Sequence, residues 1–147
     1  MTYLVHGCFD WIGFHLTQKL LNKGIEVIGV DSINSEKKEH FLLSIGRNSM
    51  FQQVETWDKI TKKINEVVVV QPKEEEQVNI ANSDSYVLAT NSCVSIKDGI
   101  KIHLPLLYGE WMPRDKQGIF YQNDYIRFCS ATFKENAIYV NDFLDVL

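Results

Sequence analysis

The chain contains 147 residues, of which 45% are hydrophobic and 23% are charged. These proportions are ordinary for a soluble globular protein, and the length suits a single domain over residues 1–147 with a sizeable core. The formal net charge of −4 argues against a nucleic-acid-binding surface, because such surfaces are usually strongly basic.

Targeting signals and cysteine pairs are both missing from the sequence pattern. No basic segment followed by a long apolar run stands at the start, so we expect neither a signal peptide nor a membrane span. Cys8, Cys93 and Cys129 stand far apart without a Cys-x-x-Cys pair, which predicts reduced thiols, no metal site and a cytoplasmic location. Cys8 lies where a helix N-terminus would activate a thiol, although a small filler residue is the simpler interpretation.

The N-terminal segment has the pattern of a strand, a turn, an amphipathic helix and a second strand. We predict the first strand over Tyr3–His6 and a helix that begins near Trp11. Gly24 ends this helix in the usual C-terminal role. The apolar run Glu26–Val30 then predicts a buried parallel strand, which ends on Asp31.

The turn after the first strand is similar to the glycine-rich turn of dinucleotide-binding units, which has three glycines at regular spacing. Gly7 and Gly13 occupy the outer positions, whereas Asp10 replaces the middle glycine. A carboxylate facing inward there would repel a phosphate by roughly 4 kcal/mol at about 4 Å and an effective dielectric near 20. The alternative interpretation is that Asp10 is the N-cap of the helix, where it would bind the amides that a phosphate otherwise uses.

The remaining elements continue an alternation of helices and strands. A long connection between the fourth and fifth strands, Gln71–Ser85, leaves room for a short crossover helix. The predicted elements are a helix over Glu36–Ile45, strand three over Phe51–Glu55, a short helix over Trp57–Ile64, strand four over Val67–Val70 and strand five over Tyr86–Ala89.

The segment after strand five carries a hairpin signal. Asp98-Gly99 stands between the alternating runs Cys93–Ile96 and Ile100–Leu104, which predicts an antiparallel hairpin over residues 93–104. The short distance from Thr90 to Ile100 predicts that strand six is antiparallel, or that a dimer partner supplies it by swapping. The expected fold is therefore a shortened, Rossmann-like, doubly wound α/β domain with a mainly parallel sheet of about five to six strands.

Four separated blocks of sequence stand in the order and spacing of one known family. They are GCFDWIGFHL, EVIGVDSIN, IGRNSMFQQVE, and IHLPLLYGEWMPRD followed by AIYVNDFLDVL. These blocks resemble the extended short-chain dehydrogenase/reductases, and within them the nucleotide-sugar epimerases and dehydratases of the uronate 4-epimerase type. The chain thus looks like a truncated, degenerate member of that family.

The resemblance implies a cofactor site for NAD or NADP, bound weakly or not at all. It places the phosphate turn at Gly7, Trp11, Ile12 and Gly13, and the residues facing the adenosine ribose at Asp31, Ser32 and Asn34. From the residues alone, Trp11 and Ile12 are equally well explained as core side chains, and Asp31 as a turn residue at a strand end.

The catalytic groups that the family uses are largely missing. The resemblance implies a Tyr-x-x-x-Lys pair on the helix between strands five and six, but none of the six tyrosines has a lysine four residues later. Thr90 or Ser92 stands where the family carries a catalytic hydroxyl, although polar residues at a strand end need no such explanation. We therefore predict no catalytic residue in this chain.

Three functions remain open on this evidence. The first is a non-catalytic or regulatory Rossmann protein that binds a nucleotide or nucleotide sugar. The second is an NAD-dependent nucleotide-sugar epimerase or dehydratase that works with an unusual base or a partner chain, favoured by Asp31, the glycine turn and the Tyr108-Gly109 block. The third is a structural interaction module, for which the sheet edge left by the lost crossover favours a homodimer.

Overall fold

The computed structural model describes residues 1–71, 84–89, 100–121 and 124–146. The main sheet contains β1 to β6, and the helices α1 and α2 follow β1 and β2. The strands are β1 (Thr2–His6), β2 (Glu26–Val30), β3 (Phe51–Val54), β4 (Glu66–Val70), β5 (Asp84–Ala89), β6 (Ile100–His103), β7 (Leu107–Tyr108), β8 (Gly118–Tyr121), β9 (Asp124–Arg127) and β10 (Ile138–Tyr139). The helices are α1 (Trp11–Asn22), α2 (Glu36–Ile45), α3 (Ala131–Asn136) and α4 (Val140–Asp145).

The six-stranded sheet has the order β3-β2-β1-β4-β5-β6, and every neighbouring pair is parallel. This is the doubly wound arrangement, in which the direction of strand addition reverses between β1 and β4. The expected Rossmann-like α/β fold is confirmed. Within the described ranges, no helix has the length and apolar character needed to cross a bilayer.

The alternating side chains of the strands form two buried layers. On the face covered by α1 and α2, Val5 and Val27 pack with Phe14 and Phe41, whose rings stack at 4.1 Å between centroids. On the opposite face, a second cluster contains Leu4 and the neighbouring valines and isoleucine of the sheet. Both faces are apolar because a parallel sheet is covered on both sides. This explains the near-continuous apolar runs of its central strands.

The predicted antiparallel direction of strand six is wrong. β6 pairs in parallel with β5, with Tyr86 opposite Ile100. Residues 90–99 are long enough for this return, because ten extended residues reach roughly 33 Å, whereas β5 is about 20 Å long. The first strand and the turn of the predicted hairpin, residues 93–99, lie outside the described residues. The antiparallel pair that the structure describes is instead β8 with β9.

The predicted helix over Trp57–Ile64 is also wrong. The segment forms only a single 3-10 turn, Trp57–Lys59. An isolated helix of this length has only marginal stability, and the tertiary contacts favour a non-helical conformation. Ile60 and Ile64 pack against the apolar face of the sheet, while Lys62 forms an ion pair with Glu26. Most of the predicted crossover helix lies in 72–83, outside the described residues.

Candidate functional site

A cavity of about 270 Å³ opens at the carboxyl ends of β1, β2 and β4, where the strand order reverses. We call it the switch-point cavity. In open α/β sheets this is the position at which ligands bind. Its lining residues are His6, Gly7, Asp10, Val30, Asp31, Ser32, Asn34, Lys38, Glu55, Val70 and Gln71.

The glycine turn is tightly packed beneath this cavity. Gly7 has a φ of +83°, and a Cβ atom there would lie 2.6 Å from the carbonyl oxygen of Val70. A Cβ atom on Gly13 would lie only 2.0 Å from the carbonyl oxygen of Gly7. The two glycines therefore let the start of α1 approach the end of β1.

Asp10 is the N-cap of α1, as the capping interpretation predicts. Its backbone is extended, with φ −66° and ψ 147°, and its Oδ1 accepts a hydrogen bond from the Ile12 amide at 3.0 Å. The amide nitrogen of Asp10 itself donates to the carbonyl oxygen of Gly7 at 3.0 Å. The protein's own carboxylate thus occupies a helix N-terminus that could otherwise bind an anion.

Burial and hydrogen bonding shift the pKa of the Asp10 carboxyl in opposite directions. Burial raises the pKa of Asp10, and the negative charge of Asp31 raises it further. The amides of Ile12 and Gly13 and the charge of Lys37 lower the pKa, but they offset only part of the rise. The ionised form of Asp10 is therefore less favourable here than it would be in water.

We predict that Asp10→Asn will stabilise the protein near neutral pH. The raised pKa means that the folded state binds the proton more tightly than the unfolded state. The stability that protonated Asp10 provides is therefore lost as the pH rises through its raised pKa. The gain from Asn should shrink as the pH falls through the raised pKa, and it should be gone below about 4, where Asp is protonated in both states. Urea unfolding at several pH values measures this.

Asp10→Ala provides the matched comparison, because alanine removes both the charge and the cap. Loss of the cap should lower the free energy of unfolding by about 1 kcal/mol relative to Asp10→Asn. Equal stability of the two variants at every pH would mean that the hydrogen bond from Ile12 contributes nothing measurable.

Asp31, at the end of β2, is also engaged with its own chain. Its Oδ2 accepts from the Phe9 amide at 3.0 Å, and its Oδ1 accepts from the Ser32 amide at 2.8 Å. Lys38 forms an ion pair with the same Oδ1 at 2.9 Å, and the Asp31 side chain is only 11% exposed. A carboxylate has about four acceptor positions, so these three donors leave room for about one further hydrogen bond, such as one from a ribose hydroxyl.

A second cavity, of about 260 Å³, lies on the other side of Asp10. Asp10 and Gln71 border both cavities, and Gln71 has the uncommon positive φ of 47°. We call this the second cavity. Its remaining lining residues are Trp11, Ile12, Pro105, Leu106, Leu107, Met112, Pro113, Ile119, Phe120 and Tyr121.

The structure separates the predicted cofactor residues into two groups. Gly7, Asp31, Ser32 and Asn34 meet at the switch-point cavity. The other group lies outside it: Trp11 and Ile12 line the second cavity, and Gly13 packs under the turn. Thr90 and Ser92, the candidate hydroxyl residues, lie outside the described residues. Among the residues that the structure describes, no cluster of histidine, cysteine and carboxylate side chains is arranged to hold a metal ion.

Sequence reasoning missed Lys38 as a site residue. Ser35 caps α2, which places Lys38 in the first helical turn. The same first turn carries Glu36 and Glu39, so nothing in the local pattern indicated that Lys38 would pair with Asp31 instead. Glu55 was also missed as a site residue, since it reaches the cavity only through the pairing of the sheet.

Cys8 is a packing residue rather than a reactive thiol. Its side chain is fully buried, and its Sγ would lie 2.5 Å from a Cβ atom placed on Gly29. Burial raises the pKa of Cys8, and the charge of Asp31 raises it further. The thiol therefore stays protonated, which removes the nucleophilic form.

The chain is similar to part of one curated protein and to reductases of known structure, while no protein-family model matches it. It is 41% identical over 88 residues to Protein CapI of Staphylococcus aureus. The matched region covers 55% of this chain and 25% of the length of that relative. The yeast methylglyoxal/isovaleraldehyde reductase Gre2, complexed with NADPH, is 24% identical, with a TM-score of 0.40. The match covers 48% of this chain and 26% of the reductase chain. Gre2 from Candida albicans is 16% identical, with a TM-score of 0.42. The match covers 60% of this chain and 36% of Gre2. The chain therefore spans well under half the length of each of these proteins.

Proposed function

We propose that this chain is a binding or regulatory relative of the nucleotide-sugar epimerases, which holds a nucleoside-bearing ligand in the switch-point cavity and does not itself carry out hydride transfer. The observation that carries the proposal is the position of Asp31. Its carboxylate borders a cavity at the carboxyl ends of β1, β2 and β4 and retains acceptor capacity for about one hydroxyl.

The sequence supports the non-catalytic part of the proposal. The Tyr-x-x-x-Lys pair would supply an acid/base tyrosine and a lysine one helical turn away. The connection between β5 and β6, residues 90–99, contains no tyrosine, and no tyrosine elsewhere in the sequence is followed by lysine at the fourth position. The proposed role is therefore recognition of the ligand rather than its oxidation or reduction.

Amide chemical shifts in ¹⁵N-labelled protein test the proposed site. Addition of adenosine or uridine should shift the amide resonances of Gly7, Ser32 and Asn34, which border the cavity. Asp31→Asn should reduce these shifts at equal ligand concentration, because it removes the charged acceptor for the ribose. Glu39→Gln is the matched control, since it makes the same chemical change at an exposed position of α2 outside the cavity.

Two results would contradict the proposal. One is the absence of any saturable shift with nucleosides, nucleotides and nucleotide sugars. The other is shifts confined to the second cavity and unaffected by Asp31→Asn. Turnover of a nucleotide sugar by the purified chain with NAD or NADP would overturn the non-catalytic part alone.

A further inference from the structure

We infer that the switch-point cavity selects nucleosides without a 5′-phosphate, and prefers a 5′ substituent that is neutral or positively charged. This inference rests on the proposed function and specifies its ligand class. It follows from the hydrogen bonds of the glycine turn, from the charges around the cavity, and from the size of the space.

Three amide donors of the turn are already used by the chain itself. In this turn the Gly7 amide donates to the Val30 carbonyl at 2.9 Å, and the Phe9 amide donates to Asp31. The Ile12 amide donates to the side chain of Asp10. A phosphate entering here would have to displace two carboxylates from amides that they hold at 3.0 Å.

The charged side chains around the cavity also disfavour an anion. Asp10, Asp31 and Glu55 line it, together with one lysine, Lys38. Lys38 is already paired with Asp31 at 2.9 Å, which leaves the charges of Asp10 and Glu55 without an ion pair inside the lining. A phosphate placed here would meet an excess of negative charge, whereas an ammonium group would reduce it.

The space itself matches a ligand smaller than a dinucleotide. A volume of about 270 Å³ lies just below the range of ordinary ligand pockets, which run from roughly 300 to 1,000 Å³. A dinucleotide would have to continue into the second cavity, but Asp10 and Gln71 stand on the boundary between the two. A nucleoside whose ribose contacts Asp31 would end with its 5′ carbon beside the turn that carries Asp10.

Calorimetry with a series of 5′ derivatives tests this selection. The probes are 5′-amino-5′-deoxyadenosine, adenosine and AMP, with the corresponding uridine series to make the result independent of the base. In the wild-type protein we expect the affinity to fall in that order. AMP should bind at least about tenfold more weakly than adenosine. Asp10→Asn keeps an acceptor for the Ile12 amide and removes the charge, so most of this difference should disappear.

Glu39→Gln serves as the control, because it should preserve the wild-type order of affinities. AMP or UMP binding as tightly as its nucleoside would overturn the inference and leave the proposed binding function intact. The same wild-type order persisting in Asp10→Asn would also overturn it, since the charge of Asp10 would then not be the cause. Failure of every nucleoside and nucleotide to bind would overturn both the inference and the proposed function.

Discussion

We expect Gly13→Ala to lower the free energy of unfolding by at least about 3 kcal/mol, the upper end of the usual range for overpacking. The added Cβ would lie 2.0 Å from the carbonyl oxygen of Gly7 and 3.0 Å from its carbonyl carbon. Both obstructing atoms belong to the backbone, so no side-chain rotation can relieve the clash. Relief requires moving α1 away from the end of β1, which would disturb the centre of the fold.

Urea unfolding followed by circular dichroism measures this effect, with Gly24→Ala as the matched control. Gly24 has a φ of +76° but nothing within 4 Å of the added Cβ, so the same substitution tests backbone strain without a clash. Strain of this kind costs roughly 1–2 kcal/mol. Equal losses in the two variants would show that close packing of the turn against α1 is not what requires glycine at position 13.

Asp10→Gly should raise the affinity for NAD on the order of 100-fold. Two like charges about 4 Å apart repel by roughly 4 kcal/mol at an effective dielectric near 20, and partial solvation of the site reduces the gain from removing one of them. The variant also frees the Ile12 amide, which the Asp10 side chain now occupies. Glycine is tolerated as an N-cap at a loss of only a few tenths of a kcal/mol, so the fold should persist.

Calorimetry with NAD compares this variant with the wild type and with Asp10→Asn. The Asn variant should gain less than the Gly variant, because its side chain still accepts from the Ile12 amide. An unchanged affinity in Asp10→Gly would mean that another group, such as Gln71 on the boundary of the two cavities, excludes the diphosphate.

The parts of the fold that the sequence predicted well depend on local signals. The start of α1 follows from an N-cap side chain at Asp10, and its end follows from Gly24, whose φ is +76°. β2 and β4 were recognisable because a buried parallel strand requires apolar residues on both faces. Asp31 reaches the site simply because a strand that ends there must deliver it to the sheet's carboxyl edge.

The parts that failed depend on contacts between distant residues. The direction of β6 is decided by its pairing with β5, and the Asp98-Gly99 signal lies in a connection whose local pattern does not determine that pairing. The segment over Trp57–Ile64 gains more from placing Ile60 and Ile64 on the sheet than from completing a short helix. The Lys38–Asp31 ion pair joins a helix start to a strand end, so neither local pattern alone reveals it.

The amide resonances of Phe9 and Ile12 in the presence of NAD test most directly whether the chain's own carboxylates occupy the phosphate site. Both amides donate to carboxylates at 3.0 Å, so millimolar NAD should leave their resonances in place in the wild type and move that of Ile12 in Asp10→Gly. Large, saturable shifts of both resonances in the wild-type protein would contradict this, because they would mean that the dinucleotide displaces Asp10 and Asp31 from the turn.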